Sequence, residues 1–233
     1  MQLMVSSSAA AMAVDAAQHI SKNLRKASVI GVATGRTPLA LYKSLAGQGD
    51  MQLSGGFALD EYLGVGADHP GSFANYVMTN VEPALKLEPG FIRVPNGLAS
   101  NPHIEAQAFE EEIAKRPIDL QILGVGSNGH LAFNEPGSAA NTLTRVVDLA
   151  EQTRKDNQQD FPGEVPRQAI TQGVATIMRA GSLCLLVSGE KKAKALRRLL
   201  EETADEQYPV TLIASHPKLS VFTDEKTLAL AQQ

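Results

Sequence analysis

The sequence predicts an α/β fold, namely a doubly wound, mostly parallel sheet flanked by helices. Short apolar runs alternate with longer helical patterns along the chain, as they do in successive βαβ units. The apolar run 118–126 is continuous, which is typical of a parallel strand covered on both faces. No internal repeat, low-complexity tract or linker interrupts this alternation, so we predict one domain over residues 1–233.

The individual elements follow from apolar periodicity and turn residues. Residues 1–20 are alanine-rich and predict an amphipathic helix. The run SVIGVAT (28–34) predicts a buried strand, Pro38 is placed at the first position of the next helix, and Ser72 is placed as a helix N-cap. The polar segment 151–166 predicts a loop or a mobile lid. The other predicted elements are strands at 56–62, 91–94, 118–126, 182–188 and 219–223, and helices at 72–85, 105–116, 169–180 and 190–202.

Composition and charge argue against several classes of protein. The formal charge is −4 at pH 7 and the basic residues are scattered, which gives nucleic-acid binding little support. The single cysteine, Cys184, lies in an apolar run, so we predict a buried thiol and no disulfide framework. No apolar run approaches the length that spans a bilayer, and the N-terminus does not read as a signal peptide. We expect a cytoplasmic protein that binds neither nucleic acid nor membrane.

Three predicted strands end in polar loops, the first of which is ATGRTP (33–38). In an open parallel sheet the ligand lies beyond the carboxyl ends of the strands, so we expect the three loops to open on one side. Thr34, Gly35, Arg36 and Thr37 stand between a strand and a helix. Backbone N–H groups, hydroxyls and the helix dipole would converge there on an anion, most naturally a phosphate. An ordinary turn with a surface arginine explains this loop alone equally well.

The second loop, LDEY (59–62), brings two carboxylates together. Asp60 and Glu61 would point to opposite faces if the strand continues through them. One could then enter the site while the other holds a neighbouring loop. A carboxylate with apolar neighbours at a strand end could have a raised pKa and act as a base. A plain acidic turn is the commoner outcome for such a pair.

The third loop, GVGSNGHLAFNEP (124–136), carries the strongest signal. Its glycines permit tight turns and a close approach of the backbone to a ligand. His130 can exchange a proton near neutral pH. Glu135 could accept a hydrogen bond from the second ring nitrogen, as in a catalytic dyad. A lone histidine is more often structural, but the surrounding glycines and the nearby acid favour catalysis.

Other chemistries find less support in the sequence. None of the remaining histidines, His19, His69, His103 and His216, stands at a metal-ligand spacing to His130. No G-x-S-x-G elbow of a serine hydrolase occurs. The first loop is neither a Walker A loop nor a dinucleotide fingerprint. We expect no metal and no cofactor.

Taken together, the motifs resemble those of the glucosamine-6-phosphate deaminase (isomerase) family. ATGRTP, LDEYLG, GVGSNGHLAFNEP, VPRQAITQGVATI, GEKKAKAL and SHPKLSVFTDE occur in the order and spacing of that family, over nearly the whole chain. The sister family, 6-phosphogluconolactonase, shares the phosphate loop but differs where this chain reads LAFNEP. The resemblance implies a Rossmann-like α/β fold. It also implies conversion of a 2-amino-2-deoxy-hexose 6-phosphate and water to a ketose 6-phosphate and ammonia.

The resemblance assigns roles to individual residues. Asp60 matches the base that moves a proton between C2 and C1. His130, supported by Glu135, matches the acid–base group that opens the sugar ring. Asn128 stands where many members have an aspartate, so it can orient its neighbours but cannot titrate. The segment 151–166 is implied as a lid that excludes water. The implied phosphate-binding residues are Thr34, Gly35, Arg36, Thr37 and Lys192.

One departure from the family concerns the phosphate. The family usually has a phosphate-clamping arginine in the polar segment, within an asparagine-serine-arginine-phenylalanine-phenylalanine run, whereas this chain reads NQQDF with Gln159 at that place. An amide cannot replace a bidentate guanidinium contact without loss of affinity. Arg36, Arg154 or Lys155 could compensate. The preferred sugar could also differ, since some galactosamine-6-phosphate deaminases lack the arginine run.

The functional hypotheses therefore have an order. The leading one is a glucosamine-6-phosphate deaminase that acts on a small-molecule sugar phosphate. The alternatives are a galactosamine-6-phosphate deaminase, a 6-phosphogluconolactonase-type hydrolase and a non-catalytic sugar-phosphate sensor. The chain ends soon after FTDEKTLALAQQ, without the extension of the longer, allosteric hexamers of the family. We therefore expect a monomer or a small homo-oligomer.

Overall fold

The computed structural model of the chain describes residues 1–49 and 51–233. Two sheets organise it. The larger is seven-stranded, with the order β1-β10-β9-β6-β2-β3-β5, and its neighbouring strands pair in parallel. The smaller is antiparallel, with the order β4-β8-β7. The strands are β1 (Gln2–Ser6), β2 (Val29–Val32), β3 (Gly55–Ala58), β4 (Asp60–Tyr62), β5 (Ile92–Arg93), β6 (Leu120–Gly124), β7 (Arg145–Asp148), β8 (Gln168–Thr171), β9 (Leu183–Val187) and β10 (Leu219–Asp224).

Helices flank the larger sheet and enclose a hydrophobic core with it. Ile20, Leu41 and Leu196 come from three different helices and pack, fully buried, in the same core as Ile122 of β6. Among the described residues, none of the helices is both long and apolar enough to traverse a bilayer. The α-helices are α1 (Ala9–Asn23), α2 (Arg36–Leu45), α3 (Phe73–Tyr76), α4 (Pro102–Lys115), α5 (Glu151–Asn157), α6 (Val174–Met178), α7 (Ala193–Leu200) and α8 (Glu225–Ala231). Shorter helical turns are π-helical at Val77–Val81 and 3₁₀ at Gln158–Asp160, Glu190–Lys192 and Pro209–Ile213.

The predicted α/β class with a mostly parallel sheet is confirmed, and so are most of the predicted strands. The buried thiol is also confirmed, because Cys184 lies in β9 with no exposed surface. The small antiparallel sheet was not predicted, and the errors in the element assignments are concentrated around it and at the N-terminus.

The N-terminal prediction was wrong for its first residues. β1 pairs with β10 along five residues, and α1 begins only at Ala9, where the Ser8 side chain accepts a hydrogen bond from the Ala11 N–H. β1 lies at the sheet edge, so Leu3 and Val5 stay partly exposed and give a weak apolar signal. The adjoining alanines, which favour helix strongly, dominate the pattern.

Two further assignments were wrong where the chain leaves the parallel sheet. The predicted strand 56–62 is divided at Leu59, because β3 belongs to the large sheet and β4 pairs with β8 in the small one. The predicted helix 169–180 begins with β8 instead, and α6 starts at Val174. β8 lies between β4 and β7, so pairing with both neighbours decides its conformation over local helical preference.

Three smaller corrections concern helix boundaries. α2 begins at Arg36, with Gly35 as N-cap, so Pro38 is its third residue and not its first. Ser72 is confirmed as an N-cap because its side chain accepts a hydrogen bond from the Asn75 N–H, but regular α3 ends at Tyr76 and the π-helical turn follows. The polar segment 151–166 contains α5 and a 3₁₀ turn and is not a plain loop.

The order of the strands places the functional loops together. β9, β6, β2 and β3 are consecutive parallel neighbours in the sheet, so their carboxyl ends lie at one edge. The loops 33–38, 59–62 and 124–136 follow three of these strands, which confirms that they open on one side. The turn that carries Lys192 follows the fourth.

A close contact inside this sheet gives a stability prediction. A methyl group at Gly31 of β2 would lie 2.0 Å from Oε1 of Gln121 on β6. Because Gln121 is fully buried, its side chain cannot move aside cheaply. We expect Gly31→Ala to lower the free energy of unfolding by about 1–3 kcal/mol, as overpacking does, in urea denaturation followed by circular dichroism.

Gly124→Ala is the matched control, because a methyl group there meets no heavy atom of the described residues within 4 Å. An equal loss of stability in both variants would contradict the packing explanation.

Candidate active site

The loop between β2 and α2 presents backbone and side-chain donors to open space. Gly35 has φ 99° and ψ −175°, a conformation that glycine alone adopts freely. No heavy atom of the described residues lies within 4 Å of the position that a Cβ would take there. The Tyr76 hydroxyl holds the loop by donating to the Gly35 carbonyl at 2.8 Å. The first N–H groups of α2 and the half-buried Thr34 and Thr37 belong to this turn, and a helix N-terminus is a common place for an anion to bind.

Arg36 stands at the start of this helix and is already paired. Its Nε and Nη2 atoms both donate to Oδ1 of Asp160, at 3.1 and 2.7 Å. The two side chains are 64% and 56% exposed. The guanidinium thus joins the loop 33–38 to the polar segment 151–166.

Glu61 confirms that one carboxylate of the LDEY loop holds a neighbouring segment. Its side chain is buried, and it accepts hydrogen bonds at the start of α3, where the helix N-terminus favours negative charge. Burial raises the pKa of Glu61, and these hydrogen bonds oppose that effect. The donors are the Tyr62, Phe73 and Ala74 N–H groups and the Ser72 hydroxyl.

Asp60 lies in different surroundings on the same strand. It is 5% exposed, and its carboxylate accepts no hydrogen bond from any residue that the structure describes. Burial, and then the negative charge of Glu61, raise the pKa of Asp60 well above the ordinary value. A poorly solvated carboxylate of this kind is a stronger base than an exposed one.

His130 and Glu135 lie side by side in the loop after β6. His130 Nδ1 is 3.6 Å from Glu135 Oε2 and 3.4 Å from Thr153 Oγ1. Asn128 connects the two residues, because its Nδ2 donates to Glu135 Oε2 at 2.9 Å and its Oδ1 accepts from the His130 backbone N–H at 3.2 Å. Gly126 makes room for the ring, since a methyl group there would lie 2.3 Å from it.

Glu135 is therefore held in its charged form. Burial opposes ionisation, but the hydrogen bond and charge of His130, with the hydrogen bonds of Thr153 and Asn128, outweigh it and lower the pKa of Glu135 to about 2. A carboxylate that stays ionised beside an imidazole fixes the ring orientation and its tautomer. Asn128 contributes as an orienting group, which is the role its amide permits.

Strand β8 ties this loop to the strand of Asp60. Thr171 pairs with Asp60 and accepts the Phe133 N–H on its hydroxyl at 3.1 Å. The Gln172 carbonyl accepts the Asn134 Nδ2 at 2.8 Å, while the Gln172 N–H donates to the Leu59 carbonyl at 2.8 Å. The two loops are thus attached to the same pair of residues.

A set of contacts that sequence reasoning missed comes from α5 and the turn after it. Residues 153, 156, 157 and 160 follow the spacing i, i+3, i+4, i+7 of one helix face, and each contacts a different part of the site. The periodic polar pattern in TRKDNQQD could have revealed this face, but not its partners. The contacts are Thr153 with His130, Asp156 with Ser127, Asn157 with Tyr62 and Asp160 with Arg36.

An aromatic cluster anchors the segment below this face. Phe161 is 6% exposed. Its ring lies 5.3 Å from that of Tyr62 and is stacked on His69 at 4.9 Å. The segment is therefore packed against the body of the protein as well as joined to it by polar contacts.

The remaining cations differ in their availability to a ligand. Lys192 is half-buried, and burial lowers its pKa against the raising effect of Asp156. Arg154 is paired with Glu164 at 2.8 Å, and Lys155 with Glu151 at 2.6 Å. Arg36, which is paired with Asp160, and Lys192 directly follow β2 and β9, whose carboxyl ends lie at the edge that the loops share.

Two of the other histidines, His216 and His19, lie in structural surroundings. His216 is buried, with its Nε2 atom 2.9 Å from the Ala180 carbonyl, and His19 packs edge-on to Phe222. In the part of the chain that the structure describes, no group of three or more His, Cys, Asp and Glu residues is arranged to hold a metal ion.

Comparisons with known proteins place this fold and these motifs in one family. The profile of the glucosamine-6-phosphate isomerases/6-phosphogluconolactonase family matches residues 4–222. The glucosamine-6-phosphate deaminase of Thermoanaerobacter pseudethanolicus is 38% identical over 229 residues, which are 94% of this chain and 90% of the relative. That of Mycolicibacterium smegmatis is 41% identical over 207 residues, or 85% and 79% of the two chains. The chain belongs to the glucosamine-6-phosphate isomerase/6-phosphogluconolactonase family.

Solved structures agree with this assignment. A monomeric glucosamine-6-phosphate deaminase has a TM-score of 0.94 and 32% identity, with 99% of this chain and 100% of that chain covered. The 6-phosphogluconolactonase of Trypanosoma brucei has a TM-score of 0.79 at 19% identity and covers 98% of this chain and 97% of its own. The second comparison shows a shared fold alone.

The surroundings of Asp60 predict how its replacement affects stability. A buried carboxylate with a raised pKa destabilises the folded state when it is ionised. We expect Asp60→Asn to raise the melting temperature at pH 8, because the amide carries no charge. As the pH falls through the raised pKa of Asp60 toward the ordinary aspartate value, the wild type becomes protonated and the difference should shrink. Thermal unfolding at a series of pH values measures this.

A melting temperature that falls on substitution at every pH would contradict the description of Asp60 as a destabilising charge.

Proposed function

We propose that this protein is a glucosamine-6-phosphate deaminase, which converts glucosamine 6-phosphate and water to fructose 6-phosphate and ammonia. One observation carries the proposal: a buried, poorly solvated Asp60 follows β3, and His130, with Glu135 beside it, follows β6, while the loop after β2, the strand between them in the parallel sheet, is suited to an anion. The identity of 38–41% to deaminases over most of the chain supports it.

The proton transfers are divided between two groups. His130, oriented by Glu135 and Asn128, moves a proton from the anomeric hydroxyl to the ring oxygen, so that the ring opens to the aldehyde. Asp60 then removes the proton from C2 and returns it to C1, while one proton of the amino group passes to O1, which converts the amino aldehyde into a C2 imine with a hydroxyl at C1. Water adds to that imine at C2 and ammonia leaves, so that the ketose phosphate remains. These steps are acid–base chemistry of the kind that two such groups can perform.

The phosphate binds at the start of α2 in this proposal. Thr34, Gly35, Arg36 and Thr37 provide hydroxyl, N–H and guanidinium donors, and Lys192 provides a second charge. An anion at a helix N-terminus gains from both the free N–H groups and the dipole. The phosphate thus fixes one end of the substrate while Asp60 and His130 act on the other.

We further propose that residues 1–233 act as one domain, in the cytoplasm, and as a monomer. The related deaminase that is described as monomeric matches this chain along its full length, which supports the oligomeric state. A sugar phosphate carries a charge that keeps it within the compartment where it is made, which supports the location.

The central test is ammonia release. The purified protein should release ammonia from glucosamine 6-phosphate, and Asp60→Asn should lower kcat by about 10²–10⁴-fold, the range for loss of a general base. Because the base must be ionised, kcat/KM should fall as the pH drops through the raised pKa of Asp60, at a pH above the ordinary aspartate range. A coupled ammonia assay follows both.

Galactosamine 6-phosphate and 6-phosphogluconolactone are tested in parallel. Faster turnover of the galacto epimer would move the assignment to that sugar, and lactone hydrolysis without ammonia release would overturn it.

A second variant tests the contact between His130 and Glu135. Glu135→Gln keeps the size of the side chain but removes the charge that holds His130, so we expect kcat to fall by about 10- to 100-fold. KM for the sugar phosphate should change little, because Glu135 lies outside the proposed phosphate site. Steady-state kinetics separate the two parameters. A rise in KM at unchanged kcat would show that Glu135 serves substrate binding instead.

A further inference from the structure

We propose that Asp160 is an internal anion that occupies Arg36 in the free protein, so that the substrate phosphate and the Asp160 carboxylate exchange at one guanidinium. Asp160 would then be an affinity-setting residue of the sugar-phosphate site. The inference rests on the proposed function only in taking an anionic phosphate as the group that enters beside Gly35.

The geometry of the ion pair favours exchange. Arg36 donates to Asp160 through Nε and Nη2, but both bonds end on the same oxygen, Oδ1. A guanidinium binds most strongly when two parallel N–H groups meet two different oxygens. A phosphate in the open space before Gly35 could offer that arrangement, together with contacts to the N–H groups of α2.

The exposure of the Arg36 and Asp160 side chains also favours exchange. Both side chains are more than half exposed, at 64% and 56%, and ion pairs of this kind contribute little because water competes for each partner. The Asp160 carboxylate can therefore bind Arg36 in the free protein without preventing a phosphate dianion from binding the same guanidinium. Its presence should still reduce the affinity for phosphate, by about two- to fivefold.

An acid of the same segment also acts electrostatically on the other cation of the proposed site. Asp156 lies one helical turn before Asp160 and is the acid whose charge acts on Lys192. It is held by the Ser127 hydroxyl at 2.9 Å. The segment therefore brings negative charge near both cations that the phosphate would use, and Asp160 does so through a direct ion pair with Arg36. Neither carboxylate has a part in the proton transfers.

Exchange at Arg36 would release one side chain of the segment 151–166. Asp160 ends the 3₁₀ turn Gln158–Asp160, and the next residue, Phe161, is anchored in the aromatic cluster. Loss of the Arg36 contact would release the Asp160 side chain, while Asn157 stays bonded to the Tyr62 hydroxyl before the turn. Phosphate occupancy would thus change one surface side chain and leave the segment attached to the body of the protein.

Isothermal titration with inorganic phosphate tests the exchange without turnover. Four proteins are compared: wild type, Asp160→Asn, Arg36→Gln and the double variant. Asp160→Asn should bind phosphate about two- to fivefold more tightly, and Arg36→Gln about tenfold more weakly. In the Arg36→Gln background, Asp160→Asn should not change the phosphate affinity further, because the guanidinium for which Asp160 competes with phosphate has been removed.

The matched control is Glu164→Gln. Glu164 belongs to the same segment and is exposed, but it is paired with Arg154, so its loss changes the net charge equally without freeing Arg36. Its phosphate affinity should equal that of the wild type.

Several results would overturn the exchange. Unchanged or weaker binding in Asp160→Asn would show that the carboxylate does not compete, or that it positions Arg36 for phosphate. An equal gain in the Arg36→Gln background or in Glu164→Gln would assign the effect to general charge, and absence of phosphate binding in all proteins would remove the site. If the four proteins bind phosphate as predicted but the wild type releases no ammonia from glucosamine 6-phosphate, the proposed function is wrong and the exchange at Arg36 is still supported.

Discussion

The pairing of β4 with β8 is the contact on which the candidate site depends. After β3 the chain leaves the parallel sheet at Leu59 and enters a small antiparallel sheet, which turns Asp60 into a buried position beside the carboxyl ends of the large sheet. The same strand, β8, receives the loop that carries His130 through Thr171 and Gln172. One three-residue strand therefore sets the place of Asp60, and its partner sets the place of the loop that carries His130.

The two neighbouring carboxylates of β4 have opposite hydrogen-bonding surroundings. Glu61 satisfies its charge with hydrogen bonds and fixes the start of α3. Asp60 finds no such partner among the described residues, and Glu61 adds repulsion to its burial. Glu61 thus fixes the local structure although burial still raises its pKa, whereas Asp60 remains buried without such contacts.

Much of this arrangement could be predicted from the sequence, for a physical reason. Strands such as β6 and β9 are continuous apolar runs, so their existence and the loops after them follow from local pattern. β1 is a partly exposed edge strand, and β4 and β8 have only three and four residues. The conformation of all three comes from partners distant in the chain, such as Asp60 with Thr171. The polar face of α5 and the turn after it is periodic in the sequence, but its partners lie in three separate segments, and no local signal could name them.

The position of Cys184 has a practical meaning for studies of this chain. It lies in β9, between β6 and β10, and burial raises the pKa of its thiol to about 12. A thiol that is both shielded and protonated reacts with alkylating reagents only when the centre of the sheet opens. Since the sequence contains a single cysteine, the rate of its modification is an intrinsic measure of how often the whole fold comes apart, separate from any movement at the surface.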